Sequence, residues 1–343
     1  MTSVSSTKQQ FDIVGVGNAI VDVLAPVPDD FLLRHSIERA SMTLIDQDRA
    51  ETLYQAFPPA REISGGSAAN SLAGAASLGS ACAFIGRVAS DQLGEVFTHD
   101  LRAGGVYFQP GSYEGGPATA RSLIAVTPDS QRSMSTFLGC SSLLSPQDID
   151  AEIVGAARIA YLEGYLFDRE DAKRAFLKTV EISHSKGNRA AISLSDTFCV
   201  ERHRSDFLQL IRSLDIVIAN EAECKSLFQI DDFDQAFAQL AAFASIVVVT
   251  RSEKGALIAG RTPQGALETV VVTAAPVAKI VDTTGAGDLF AGGFLHGLSQ
   301  GLDLARSGRL GAMAAAEIIS HYGARPETSL RDQAVATGLL GGA

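Results

Sequence analysis

The chain has 343 residues, 46% of them hydrophobic and 20% charged, with a formal net charge of −11 at pH 7. That acidity argues against a nucleic-acid or anionic-membrane partner, which would need a basic patch. The four cysteines, Cys82, Cys140, Cys199 and Cys224, form no Cys-x-x-Cys pair and no zinc spacing with histidine, so they read as free thiols in a reducing cytoplasm.

In chain order, Met1–Gln10 is polar and lacks an apolar signal core, which predicts a short disordered tail. No apolar run approaches the roughly 20 residues that span a bilayer. Phe11–Gly17 (FDIVGVG) predicts a buried first strand. Val21–Val27, broken by Pro26, suits an edge or excursion strand. Ala68–Leu78 carries small residues at helical spacing and stops at Gly79, and Ala81–Val88 is the next strand. Asp91–Ala103 predicts a helix capped by Asp91. Val106–Phe137 holds short segments joined by the turn Pro128-Asp129-Ser130, and predicts strands of a small accessory sheet.

From Ser145 onward helix and strand alternate. Strands are expected at Ile159–Leu162, Arg189–Leu194, Asp215–Ala219 and Ser245–Thr250, with helices at Arg169–Lys186, Ser205–Ser213 and within Glu221–Ala244. Continuous β-branched runs between helices argue for a parallel sheet covered on both faces. Two further strands (Gly255–Ala259, Leu267–Val272) and two helices (from about Gly287 and Asp303) complete the pattern. The expected fold is α/β: one doubly wound, mostly parallel domain over 11–330. A small β-sheet lid comes from 21–28, 41–46 and 106–137, and a C-terminal tail from 331–343. Ligands of such sheets lie outside the carboxyl ends of the strands.

The segment richest in chemistry is Asp282-Thr283-Thr284-Gly285-Ala286-Gly287-Asp288. Glycines ahead of a helix start let backbone N–H groups face an anion. A carboxylate at that mouth makes sense if it takes a proton from a hydroxyl that attacks phosphate. The plain alternative is a capped helix start. The spacing fits neither the dinucleotide G-x-G-x-x-G nor the Walker loop, and the chain has no Gly-Lys pair. Asn220-Glu221-Ala222-Glu223 reads equally as a capping box or as Glu223 orienting magnesium through water. Gly65, Gly66 and Asn70 offer close backbone approach and an amide to substrate hydroxyls, or simply a loop and cap at Ser67. Asn18 and Asp22 follow the first strand; a carboxylate suits a vicinal diol, or a solvated edge. Thr250, Ser252 and Gly255 line either a nucleotide or a hairpin turn. Arg132 either swings onto phosphates or is solvated. No H-E-x-x-H or G-x-S-x-G motif is present.

Together these segments resemble the ribokinase-like, phosphofructokinase-B type carbohydrate kinase superfamily, from about Phe11 to about Leu330. Gly17–Asp22, Thr43–Asp46, Glu163–Asp168 and Ser193–Phe198 are most similar to its bacterial adenosine-kinase-like branch. The resemblance implies ATP-dependent, magnesium-assisted phosphoryl transfer to the primary 5′-hydroxyl of a nucleoside, adenosine foremost. A fructokinase- or ribokinase-type sugar kinase and a non-catalytic nucleotide sensor are the alternatives. It makes Asp288 the general base and the amides of Gly285, Ala286 and Gly287 the anion hole. Asn18, Asp22, Gly65, Gly66 and Asn70 fall at substrate-hydroxyl positions. Asn220, Thr250, Ser252, Gly255, Thr283 and Arg132 fall at the nucleotide, and Glu223 at the metal. Phe137, Tyr165 and Phe167 are candidates for a slot around the base, or core. Where family members carry a small hydroxyl residue for a monovalent cation, this chain has Arg325-Pro326-Glu327-Thr328, which puts potassium activation in doubt. The expected partners are the small-molecule acceptor and ATP, with no nucleic acid and no membrane, in a monomer or homodimer.

Overall fold

A computed structural model describes residues 10–111, 113–129, 131–262 and 265–341; most of the expected N-terminal tail and Ser130 of the expected turn lie outside the described residues. The strands are β1 (Phe11–Val16), β2 (Ile20–Pro26), β3 (Met42–Leu44), β4 (Arg61–Ser64), β5 (Cys82–Ile85), β6 (Val106–Phe108), β7 (Ala120–Val126), β8 (Arg132–Phe137), β9 (Ala157–Glu163), β10 (Arg189–Ser193), β11 (Ile216–Asn220), β12 (Ile246–Thr250), β13 (Ala256–Arg261) and β14 (Leu267–Val272). The helices are α1 (Asp29–Arg34), α2 (Gln47–Ala56), α3 (Ser67–Ser77), α4 (Gln92–Ala103), α5 (Ala151–Gly155), α6 (Glu170–Ser185), α7 (Thr197–Arg202), α8 (Arg204–Leu210), α9 (Glu221–Phe228), α10 (Phe233–Ala241), α11 (Ala286–Ser299), α12 (Leu304–Ile318) and α13 (Leu330–Ala336).

A nine-stranded sheet runs β14-β13-β12-β11-β10-β9-β1-β5-β6, and a five-stranded sheet runs β3-β8-β7-β2-β4. In the large sheet β12 through β6 are parallel, and only the β13–β14 edge is antiparallel. The β-branched runs are buried on both sides because alternate residues feed two cores. Val14, Val16, Ala160 and Leu162 pack with Phe176 of α6, Phe207 of α8 and Leu240 of α10. Ile13, Ile159 and Tyr161 pack with Leu72 of α3, Phe97 of α4 and Phe294 of α11. Helix α11 can lie close on α3 because it is small-faced: a Cβ at Gly292 would meet the Ser71 carbonyl oxygen at 2.2 Å. Strand order reverses between β1 and β9, which opens a crevice at their carboxyl ends.

Several expectations need correction. Val106–Phe108 joins the large sheet beside β5 rather than the small one. Its alternation of buried Val106 and Phe108 fits either sheet, and only the tertiary pairing decides. Strand β2 is internal to the small sheet, parallel to β7 and antiparallel to β4; Pro26 sits at its end. Strand β4, four residues long, had no pattern to announce it. Beyond Leu330 the chain is helical in α13, whose Leu330 and Ala334 are buried against Leu78, Leu289 and Leu310. Among the described residues no helix is long and apolar enough to cross a membrane.

Candidate active site

Helix α11 begins at the end of the Asp282–Asp288 run. Its N-cap is Gly285, with φ at +77°, a left-handed conformation in which a side chain would also crowd Ala324. Among the described residues the amides of Gly285 and Gly287 have no backbone partner. A Cβ at Gly287 would meet nothing within 4 Å, so open space lies over the helix mouth. Thr283 is exposed beside it. The donors and the space fit a phosphate group.

Asp288 stands in the first turn of α11 and faces α3. Its Oδ1 accepts from Ser67 Oγ at 2.6 Å and its Oδ2 from Asn70 Nδ2 at 3.0 Å. Burial raises its pKa above the ordinary value; the bonds from Ser67 and Asn70 and the charge of Arg325 oppose that rise. Ser67 is therefore not a cap. The N-cap of α3 is Gly66, whose φ of +88° and whose approach to the Asn18 carbonyl admit no side chain; a Cβ there would meet that oxygen at 2.3 Å. Asn70 Oδ1 is buried and without a hydrogen-bond partner among the described residues.

Asp22 on β2 faces the same space. Gly65 lies against it, since a Cβ at Gly65 would stand 2.6 Å from Asp22 Oδ2. Burial pushes Asp22 up to about 7, moderated by the positive charges of Arg325 and Arg132 and reinforced by Asp288 and Asp282. Among the described residues no donor reaches its carboxylate, which leaves both oxygens for a ligand diol.

Asn18, expected among the hydroxyl-binding residues, is engaged differently. It is 1% exposed, donates from Nδ2 to Glu163 Oε1 at 2.7 Å and accepts from Ser141 Oγ at 3.0 Å. Glu163, at the end of β9, also accepts from the Ala68 amide at 2.8 Å. Burial pushes Glu163 up to about 7 against these bonds. The carboxylate thus ties the β1 turn to the first turn of α3, and so steadies Ser67 and Asn70 beneath Asp288. Sequence reasoning missed this role; the signal was an acid ending an otherwise apolar strand.

Arg132 of β8 crosses from the small sheet to the helix mouth. Its Nη1 donates to Thr284 Oγ1 at 3.1 Å and its Nη2 lies 2.5 Å from Asp282 Oδ2. It is buried rather than solvated, and its guanidinium stands over the Tyr322 ring. Asp282 Oδ1 accepts from the Thr284 amide and hydroxyl, and Oδ2 also accepts from the Gly323 amide. Both oxygens of Asp282 are occupied, and one faces a guanidinium. Thr328 Oγ1 is spent on Glu317 Oε1 at 2.9 Å. The Asp282 carboxylate is thus paired with an arginine and the Thr328 hydroxyl already bonded, so neither is free for a monovalent cation.

The remaining group lies at the carboxyl ends of β11 and β12, where Asn220 and Thr250 are register partners. Asn220 and Glu223 form the complete capping box: Asn220 Nδ2 to Glu223 Oε1 at 2.5 Å, Asn220 N to Glu223 Oε2 at 2.9 Å, and Glu223 N to Asn220 Oδ1 at 2.8 Å. Glu223 is buried, and burial with the charges of Asp196 and Asp288 pushes it up to about 7. Among the described residues no group of three or more His, Cys, Asp or Glu is placed to hold a metal. With no such group around it, Glu223 would reach a magnesium ion only through that ion's water. Ser252 (φ +51°) and Gly255 (φ +83°) shape the turn after β12, where Arg251 pairs with Glu221 at 2.9 Å. Of the expected aromatics, Phe167 is core, stacked on Phe207 at 4.0 Å. Phe137 and Tyr165 are half-buried, and the Tyr165 hydroxyl donates to the Ser195 carbonyl at 3.2 Å.

Comparison with known proteins places this geometry in context. The pfkB family carbohydrate kinase model matches residues 39–330. The chain is 27% identical over 331 residues to adenosine kinase of Saccharomyces cerevisiae, covering 91% of this chain and 95% of that protein. A solved structure described as a probable sugar kinase from Rhizobium etli is 48% identical, covers 97% of this chain and 100% of its own, and superposes with a TM-score of 0.89. Adenosine kinase from Sinorhizobium meliloti is 46% identical, with coverage of 96% and 99% and a TM-score of 0.87.

Proposed function

The chain belongs to the pfkB family of carbohydrate kinases, phosphotransferases with an alcohol acceptor, and from that premise we propose that it transfers the γ-phosphoryl group of ATP to the 5′-hydroxyl of adenosine. The observation that carries this reading is Asp288 at the mouth of α11, beside the amides of Gly285 and Gly287 and near Asn70 Oδ1, none of which has a hydrogen-bond partner outside its own helix among the described residues. In the reaction Asp22 accepts the two hydroxyls of the ribose diol, and the free Oδ1 of Asn70 accepts a further donor. The acceptor's primary hydroxyl replaces Ser67 on Asp288. As its oxygen bonds to the γ-phosphorus, its proton passes to the Asp288 carboxylate and the bond to the bridging β,γ-oxygen breaks, releasing ADP. Charge growing on the phosphoryl oxygens meets the amides of Gly285 and Gly287 and the positive charge of Arg132, which stays paired with Asp282; the Ala286 amide, expected to join them, is spent on the Thr283 carbonyl at 3.2 Å. Glu223 is the residue that would orient the water of a magnesium ion, which when bound would supply positive charge at the phosphates. Thr250, Ser252 and Gly255, with Asn220 and Thr283, would face the nucleotide.

The match to adenosine kinases over nearly the whole chain supports adenosine, with Phe137 and Tyr165 as aromatic walls for the base. A sugar acceptor is the second reading, favoured by the likeness to the Rhizobium probable sugar kinase. A coupled ADP-release assay across nucleosides and free sugars separates the two. Turnover with adenosine is expected; turnover with a free sugar and none with adenosine would discard the first reading.

A further inference from the structure

Arg325 lies in the loop after α12 and reaches back across the molecule. Its Nε donates to the Ser64 carbonyl at 3.0 Å, and its Nη1 to the Ala69 carbonyl at 2.6 Å. Those two carbonyls flank Gly65-Gly66-Ser67-Ala68, and the second directly precedes Asn70. Nη2 is buried and has no hydrogen-bond partner among the described residues. The same loop touches the phosphate side: the Gly323 amide donates to Asp282 Oδ2 at 3.1 Å, and Ala324 closes against Gly285. A short loop thus spans both halves of the site, and its arginine is the part that grips the acceptor half.

We propose that Arg325 is a positioning residue for phosphoryl transfer, pinning the acceptor loop Gly65–Asn70 and holding a positive charge in reach of both Asp22 and Asp288. The proposal rests on the kinase reading above. A planar fork is needed because two carbonyls on separate elements are bridged at once; an ammonium is a single point charge and cannot span them in the same way. The charge is needed because two half-buried carboxylates facing one space repel each other. Arg325 lowers both Asp22 and Asp288, while burial brings its own value down to about 10. The other charged groups in this field are Arg132 and Asp282, which act on Asp22, and Asp100 of α4, which acts on Arg325 and accepts from the Ser64 amide at 3.0 Å. The orphaned Nη2 is a costly buried donor until an acceptor oxygen reaches it.

The test compares Arg325→Gln and Arg325→Lys with wild type, reading kcat/KM for the acceptor across pH and ATP affinity by calorimetry. Arg325→Gln is expected to lower acceptor kcat/KM by about 100-fold through misplacement of the loop. It should move the acid limb of the profile up by about one pH unit, because a cation near the carboxylates is gone. ATP affinity should stay at the wild-type value. Arg325→Lys should keep the acid limb and recover only part of the rate. Unchanged kcat/KM and acid limb in Arg325→Gln overturn the proposal, as does a parallel loss of ATP affinity in a folded variant. If Arg325→Gln does not fold, Arg325→Lys decides: a wild-type rate, or an acid limb displaced despite the retained charge, overturns it. A wild type inert toward every nucleoside and sugar would instead refute the kinase reading.

Discussion

Replacing Asp288 by Asn removes the proton acceptor while leaving its surroundings intact. The carboxylate accepts two hydrogen bonds, from Ser67 Oγ at 2.6 Å and Asn70 Nδ2 at 3.0 Å. An amide of the same shape can turn its oxygen to Asn70 and its NH2 to Ser67, whose hydroxyl is free to accept. Burial disfavours the charged form of Asp288, so a neutral side chain of the same shape carries a smaller desolvation cost. The melting temperature of Asp288→Asn should therefore match or exceed that of the wild type. What disappears is general-base catalysis, which contributes about 10²–10⁴-fold, or roughly 3–5 kcal/mol of barrier. ADP release measured with saturating acceptor and ATP should fall by that factor. ATP affinity should hold or tighten, because a negative charge leaves the neighbourhood of the phosphates. A kcat within about tenfold of wild type in the folded variant would refute Asp288 as the base, since so small a loss lies below the range for a positioned base.

Three further outcomes follow from the same geometry. Asp22 is raised from 3.8 to about 7 by burial. A folded carboxyl with a raised pKa binds more protons than the unfolded chain between those values, so stability falls as pH rises through that window. Asp22→Asn should then raise the melting temperature at pH 8, with a ceiling of about 4 kcal/mol, give less than half that gain at pH 5, where only the lower part of the window has been crossed, and abolish acceptor binding; an equal gain at both pH values would refute the burial argument. Gly287→Ala places a methyl in the open space over the helix mouth, so it should fold as stably as wild type and raise KM for ATP, whereas an unchanged KM would mean the phosphates lie elsewhere. Because Arg132 already pairs with Asp282, replacing potassium by choline at constant ionic strength should leave kcat unchanged, and a clear loss of rate would show that a monovalent cation is used.

The layering follows from residues close together in the chain. The β-branched runs at Ile216–Asn220 and Ile246–Thr250, separated by helical stretches, specify central parallel strands, because only burial on both faces removes the need for alternation. Local sequence also places Asp288 at a helix mouth beside glycine amides, since local backbone geometry follows from Gly285 and Gly287. Short-range chemistry of this kind is written in neighbouring residues. The partners of Asp288 are not, because Ser67 and Asn70 lie 221 and 218 positions away and reach it only when α3 and α11 pack. The same holds for Glu163, whose acid was visible but whose grip on Asn18 and Ala68 depends on β9 lying beside β1. Val106–Phe108 could have paired in either sheet, and Asn18 could have faced a ligand; long-range packing decided both. Arg325 was legible only as a missing hydroxyl. Its role as a fork between two carbonyls exists only because the folded chain brings Ser64 and Ala69 to within reach of one guanidinium.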